Sequence, residues 1–385
     1  MLDAIVVTAA RPSALPVSAA RQPRGLIRVN GTAISGLVEF TVANNSFYEA
    51  DTYHAVLSTS ALPSAMDANW FSEATETFIE LLAGFPVDPD NIDPNELTSF
   101  IYGRIDDLEF DPVERTLTLT GRNLTGAFID AKIATDYTNQ TASAVAQMLA
   151  TAHGIQYQIS PTTTKVGNYY DIDTMQLQAG TSEWDLISKL ARDEGYVTFV
   201  TQYQGAPTLY FGPDQTGAGR ALNLTYVPPS NSAGSSSGNF KSMSFSRSQT
   251  VVKGITVTVQ SAGRDNPTVR KSYPTAPKGT SPGKASPYGA TTNYVTSIAS
   301  GATPAQCLAR AVSIYNEIIR HAMKIKVRLP ADEITTVTGK LVVTGTRTSF
   351  DQTYYPRSIT RTFSVSEGFS MDIDAQSYSP NLLIE

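Results

Sequence analysis

The sequence predicts a mainly β protein with an α+β insertion, in which two β-barrel regions flank a small α/β module. Three observations carry this. Composition is the first: of 385 residues only 17% are charged, 41% are hydrophobic, and tyrosine, glycine and proline are plentiful. Strands favour β-branched and aromatic residues, and turns favour Gly, Pro, Asn and Asp. The second is a set of short alternating runs at both ends of the chain, and the third is a pair of capped amphipathic helical patterns in the middle.

Residues 1–23, rich in Ala, Pro and Arg, show no period and read as an N-terminal arm or edge strand. Residues 24–127 form the first β domain. Leu26 to Val29 leads into the turn Asn30-Gly31, and Leu37–Val42, Tyr53–Leu57 and Thr77–Leu82 follow. Ser99–Ile105 and Leu108–Phe110 run to the turn at Asp111-Pro112, and Thr116–Thr120 returns in strict alternation. Many short strands closed by turns favour a barrel or a sandwich.

Residues 128–239 form the α/β module and its linker. Thr141 caps a helix whose apolar face holds Val145, Met148, Leu149 and Ala152, with Gly154 at its end. A second helix starts at Thr181 or Ser182, aligns Trp184, Ile187, Leu190 and Ala191, and stops at Gly195. Strands are expected near Tyr196–Val200 and Thr208–Phe211, and the Ser/Gly/Asn run 230–239 reads as a flexible linker.

Residues 240–385 form the second β domain. Strands at Met243–Phe245 and Gly254–Gln260 precede a long Pro/Gly/Ser/Lys-rich loop from Arg264 to Tyr294. Helix 303–322 has Thr303 as cap, Pro304 at its first position, Gln306 completing a capping box, and a stripe of Leu308, Ala311, Tyr315, Ile318 and Ala322. Strands at Lys324–Leu329, Lys340–Thr346, Ser358–Val365 and Phe369–Ala375 close the chain. The hairpin after Arg357-Ser358-Ile359 matches in pattern the hairpin after Arg104-Ile105, a faint sign that a β domain is duplicated.

Three features in this order resemble the phage tail baseplate hub family, which takes in contractile-tail hubs, late-control D-like proteins and the hub portion of type VI secretion spikes. They are the strand pair Gly103–Leu108 and Leu117–Arg122, the segment Ser182–Gly195, and a terminal helix followed by strands. Within the middle segment, Ser182, Trp184, Asp185, Ile187, Leu190, Ala191 and Gly195 match the family's S-x-W-D-x-(apolar)-x-x-L-A-x-x-x-G stretch. The resemblance implies two tube-like barrels around a LysM-like module, and a homotrimer whose six barrels join a sixfold tail tube to a threefold spike. Implied partners are the tail tube or tube-initiator protein, the central spike, the tape-measure protein and other baseplate proteins. The implied location is the virion tail baseplate, assembled in the host cytoplasm. No stretch resembles a lysozyme-like or needle segment, so the spike is expected to be a separate chain.

The chemistry points the same way. The net charge of -6 argues against phosphate-backbone binding as the main task, and no sequence-specific nucleic-acid binding is expected. The single cysteine, Cys307, rules out an internal disulfide and a multi-Cys zinc site. The N-terminus lacks a signal peptide's basic and apolar regions, and no run approaches a membrane span, so neither ordinary secretion nor membrane insertion is expected. Two literal G-x-S-x-G matches, Gly234–Gly238 and Gly279–Gly283, lie in a linker and a Pro-rich loop, without the strand–turn–helix elbow a hydrolase needs. His54, His153 and His321 show no metal-ligand spacing. Asp88, Asp90, Asp93 and Glu96 lack the glycine and register of a calcium loop and read as a solvated hairpin loop. No enzyme activity, cofactor or metal is expected.

Partner contacts are expected at Trp70 and Phe71, for which burial in the first β domain is the alternative, and at Arg270, Lys271, Lys278 and Lys284. The last four lie, with Arg264 and one acid, in the long loop, which otherwise reads as a mobile solvated segment. The competing function is a peptidoglycan-binding or wall-degrading tail component, with Trp184 stacking on sugar; its place on the apolar stripe favours a core anchor instead.

Overall fold

A computed structural model describes residues 22–377 apart from 134–136, 138–139, 164, 167–180, 204, 231–234, 249–254, 263–267, 276–291, 299–301 and 321. Most of the N-terminal arm, Arg264, Lys278, Lys284, His321 and the motif at Gly279–Gly283 lie outside the described residues.

The first β unit holds β1 (Arg24–Val29), β2 (Thr32–Ile34), β3 (Leu37–Asn45), β4 (Thr52–Ser58), β5 (Phe78–Gly84), β6 (Thr98–Asp111) and β7 (Thr116–Asn123), with α1 (Ala68–Glu73) between β4 and β5. Its strand order is β2-β1-β5-β6-β7-β4-β3. Alternation drives the packing. In β7 Leu117 and Leu119 are fully buried, while Thr116, Thr118 and Thr120 point the other way. The two runs separated at Asp106-Asp107 in the sequence are one strand, β6, with a bulge between Ile105 and Asp107 that keeps both apolar sets inward.

After β7 comes the α/β module: α2 (Thr125–Asp130), β8 (Gln140–Thr141), α3 (Ala142–Ala152), β9 (Gln156–Ile159), β10 (Lys165–Val166), α4 (Glu183–Glu194), β11 (Val197–Tyr203) and β12 (Ala206–Gly212). Strands β11, β12 and β9 form a three-stranded sheet, with β12 and β9 parallel. Thr141 and Ser182 cap their helices as expected, and Gly195 ends α4 in the left-handed region at φ 70°. Four residues on α4, Trp184, Ile187, Leu190 and Ala191, are buried together. On α3 the stripe is rotated from the expected one: Ala142, Val145, Ala146 and Leu149 face the core, and Met148 is 48% exposed. Small alanines let α3 approach closely on that side, so the longer Met148 is turned to water.

The rest of the chain holds β13 (Ala221–Val227), β14 (Ser237–Gly238), β15 (Ser242–Arg247), β16 (Ile255–Ser261), β17 (Val269–Tyr273), β18 (Thr292–Ile298), α5 (Pro304–Ile319), β19 (Met323–Pro330), β20 (Lys340–Thr344), β21 (Thr353–Ser364) and β22 (Gly368–Gln376). Strands β16 to β18 form their own sheet under α5, a second small α/β layer. The segment read as a Pro/Gly/Lys-rich loop thus contains one strand, β17, and the start of a second, β18. Helix α5 has the expected Thr303 cap, Pro304 and capping box, but its stripe is centred on Cys307, Ala311, Tyr315 and Ile319, leaving Leu308 42% exposed.

Strands β14-β13-β20-β21-β22-β19-β15 form a second unit. Position by position this is the order of the first unit, and the chain order of the equivalent strands is the same. The matching hairpins, β6–β7 and β21–β22, occupy the same place in each. The units differ in three ways: β13 pairs with β20 in parallel where β1 pairs with β5 antiparallel, β16–β18 with α5 are inserted where the first unit has only the turn between β3 and β4, and α1 has no counterpart between β19 and β20.

The two units are joined edge to edge. β3 of the first pairs with β21 of the second over seven residue pairs, from Asn45↔Ser358 to Glu39↔Ser364. The result is one large sheet over a shared core in which Phe40 stacks on Phe363 at 5.5 Å. The hydrogen-bonded path among the described residues runs open-ended through both units and closes neither into a ring.

Candidate functional site at the junction of the units

Where β3, β7, β21 and the α/β module meet, four polar residues form one network. Strand β21 has the alternation Ile359, Arg361, Phe363 on its core face, so Arg361 is forced inside and is 2% exposed. Its Nε donates to the Asp332 carbonyl at 3.2 Å, its Nη1 to Asn44 Oδ1 at 3.3 Å, and its Nη2 to the Thr335 carbonyl. Its guanidinium lies 4.5 Å over the Phe100 ring.

Asn44 Nδ2 in turn donates to Asp51 Oδ2 at 3.2 Å and to the Phe100 carbonyl at 2.9 Å. The Asn45 N–H donates to Asp51 Oδ1 at 2.7 Å. The Asn123 N–H donates to the Asp51 carbonyl at 3.0 Å, and Asn123 Nδ2 reaches the Val200 carbonyl of β11 at 3.1 Å. One chain of bonds therefore ties the first unit, the second unit and the module. A cavity of about 130 Å³ lies against it, touched by Asp51, Asn123, Val200 and Arg361.

Burial sets the electrostatics here. It pushes the Asp51 carboxyl up to about 7 against the donors that favour the anion, and pushes Arg361 down to about 10. The folded value for Asp51 lies above its unfolded one, so the stability it supplies is full below about pH 4 and is lost as pH rises through 7. Asp51 is half-buried as a residue, and water screens part of the effect, leaving roughly 1–3 kcal/mol. Urea unfolding at pH 5 and pH 8 is expected to show this loss in the native chain and a flatter profile in Asp51→Asn. Equal slopes in the two proteins would refute it.

The outward face of the joined sheet is the second notable surface. Across β21, β3, β4 and β7 it presents Thr360, Thr362, Thr41, His54, Thr118 and Thr120, with Thr41 and Thr362 hydroxyls 3.3 Å apart. These side chains are mostly short, and none is among the aromatic or arginine anchors that dominate tight protein interfaces.

Phe71 is 3% exposed, and Trp70, set T-shaped at 5.0 Å against it, packs on the shared core; Asp67 caps the short helix that holds both. Arg270 and Lys271 are exposed on β17, and strand alternation puts them on opposite faces. Trp184 is 5% exposed, with Nε1 donating to the Tyr48 carbonyl at 2.8 Å, and so has no face open for a sugar. His153 Nε2 meets Glu183 Oε2 at 2.6 Å, linking α3 to α4, and His54 stands exposed on β4. In the acidic loop, Asp88, Asp93 and Glu96 each accept a backbone N–H of that loop, and Asp90 faces Arg24 at 3.7 Å. Among the described residues no group of three or more His, Cys, Asp or Glu is placed to hold a metal. Ser237-Gly238 of the first G-x-S-x-G match form β14, paired to β13, with no helix following.

No protein-family model matches the chain, and no curated protein matches it by sequence. Solved structures do. A tail protein from Neisseria meningitidis MC58 aligns over 92% of this chain and 96% of its own, with TM-score 0.63 and 12% identity. The 43 kDa tail protein of prophage MuSo2 from Shewanella oneidensis aligns over 94% and 99%, with TM-score 0.59 and 14% identity. The chain has the fold of phage tail proteins. A component of the E. coli type VI secretion system, described as similar to T4 bacteriophage tail proteins gp27 and gp5, shares the tail-protein fold at TM-score 0.52 and 11% identity, over 92% of this chain and 77% of its own. The tail-protein fold thus covers both β units and the module between them.

Proposed function

We propose that the chain is a structural hub subunit of a phage-type tail baseplate, three copies of which join a sixfold tail tube to a threefold central spike. The observation that carries this reading is the repeated strand order: a chain with two equivalent units lets three copies present six. A surface meeting a sixfold partner must repeat its contacts six times, and one meeting a threefold partner three times. The fold shared with tail proteins over nearly the whole chain supports the same role. The junction network of Arg361, Asn44, Asp51 and Asn123 suits a load-bearing piece, because it locks both units and the module into one body. The hydroxyl-rich sheet face suits a wall past which other tail components move without sticking. In this reading the protein works by assembly and carries no catalytic step. It resides in the virion baseplate after assembly in the host cytoplasm, in contact with tube, spike, tape-measure and neighbouring baseplate proteins.

The test is co-purification with the tube and spike proteins encoded beside it, followed by negative-stain imaging. A complex seen end-on as a six-lobed ring holding three copies is the expected result. Binding to neither partner, together with retention on cell-wall sacculi and clearing in a zymogram, would replace this reading with wall binding.

A further inference from the structure

Strands β16–β18 and α5 leave the second unit and return to it at a single place. The β15–β19 ladder ends at the pair Arg247↔Met323, and just beyond it the Ser248 N–H donates to the Ala322 carbonyl at 2.8 Å. The chain departs through one of these two neighbours and comes back through the other. The sheet β17-β16-β18 pairs with no further strand among the described residues, so a rotation about the two adjacent crossings breaks no ladder.

The body beyond the crossings has its own core. Ile255, Val257 and Val259 of β16 pack under Cys307, Ala311 and Tyr315 of α5, and this cluster shares no residue with the core of the module or with that of the two β units. At the β3–β21 contact, by contrast, Phe40 and Phe363 belong to one core.

Charge holds this body against the rest. Helix α5 carries two stripes. Cys307, Ala311, Tyr315 and Ile319 are its buried side, whereas Arg310, Ser313, Glu317 and Arg320, spaced i, i+3, i+7 and i+10, form a polar one. Outside its own sheet, α5 packs on α4. Arg310 Nε stands 3.9 Å from Asp193 Oδ1 near the end of α4, and Arg320 Nη2 donates to Asp214 Oδ2, just after β12, at 3.1 Å. The first contact is stretched, and Arg310 Nη1 is buried with no hydrogen-bond partner. A cavity of about 220 Å³ lies in the same seam, between Tyr48 and Arg192 on one side, Ser313, Glu317 and Arg320 on α5, and Arg357 on β21. Surfaces separated by a gap forfeit dispersion contacts, and partly exposed ion pairs gain little in water.

We propose that β16–β18 and α5 form a hinged arm, docked on the module by the Arg310–Asp193 and Arg320–Asp214 pairs and released when those charges are screened. The arm is the movable part of an otherwise locked body: the network of Arg361, Asn44, Asp51 and Asn123 joins the units and the module without it. Release uncovers the polar stripe of α5 together with Asp193 and Asp214. The device belongs to the single chain and does not depend on the trimeric reading.

Spin-label distances test it. Met148→Cys on α3 and Leu308→Cys on α5 carry the labels; both side chains are exposed, and native Cys307, fully buried, is left unlabelled. Labelled protein is diluted with unlabelled protein, so that only distances within one chain are read. At about 0.1 M salt one distance is expected. At about 1 M, where the screening length falls from about 10 Å to about 3 Å, a second, longer distance is expected to grow at the expense of the first. Arg310→Asp is expected to show the longer distance already at low salt, and adding Asp193→Arg to restore the single one. A control pair, Met148→Cys with Val113→Cys on the exposed turn between β6 and β7, is expected to keep one distance throughout. A Met148–Leu308 distance that stays single and unchanged across the salt range would overturn the hinge, whether or not the Arg310 variants fold. A change in the control distance of the same kind would show that the whole chain loosens, and would overturn the arm as a separate moving part.

Discussion

Arg361→Ala is expected to destabilise the protein by about 3–5 kcal/mol, in the range seen when one partner of a buried charged network is removed. The substitution strips donors from two backbone carbonyls, those of half-buried Asp332 and buried Thr335, and from half-buried Asn44. It also removes the plane that covers Phe100. Arg361→Lys is expected to recover less than half of the loss, because an ammonium cannot reach three acceptors in the plane of a guanidinium fork. Urea unfolding followed by tryptophan fluorescence reads the effect. A loss under about 1 kcal/mol would mean that Arg361 is not the bond between the units.

Trp184→Ala is expected to cost about 3–5 kcal/mol, the range for deleting a buried large aromatic. Trp184 packs against Phe128 at 6.2 Å and donates to Tyr48, so it holds α4 to α2 and to the turn after β3. Trp184→Phe keeps most of the packing and loses chiefly one hydrogen bond, about 1 kcal/mol. The damage is expected to be local. Hydrogen exchange should rise in β9, β11 and β12 while the β3–β21 ladder stays protected. Equal loss of protection in both regions would show that the module and the units unfold as one.

Much of the fold is legible in the sequence where the signal is local. Capping residues fix the starts of α3, α4 and α5, because a side-chain oxygen that accepts from the backbone N–H three residues on needs no tertiary partner. Alternation fixes which face of β7, β21 or β22 is buried. It does not say which strand lies alongside, so the β3–β21 contact, between residues more than three hundred positions apart, is not readable from periodicity. Strand β17, inside the long Pro/Gly/Lys-rich segment, is hidden for a related reason: Arg270 and Lys271 are exposed on a small edge and carry no apolar stripe. The helix stripes on α3 and α5 were shifted because small residues, Ala142, Ala146 and Cys307, take the closest approach and larger neighbours such as Met148 and Leu308 turn outward.

The junction was the least visible part. Asn44 and Asn45 at the end of β3 look like turn residues, and Asp51 like another. Arg361 did leave a signal. It shares the alternation of Ile359 and Phe363, so a strand reading that takes the period seriously places a charge in the core and requires partners for it. The faint hairpin repeat at Arg104 and Arg357 was the other usable clue, and its counterpart in space is the doubled strand order.

The central claim is that two equivalent units in one chain build a closed assembly of three. Native mass spectrometry of the purified protein tests it directly. The account predicts a particle of about 124 kDa, three chains of 41.4 kDa each. A single species of 41.4 kDa throughout the concentration range would contradict it.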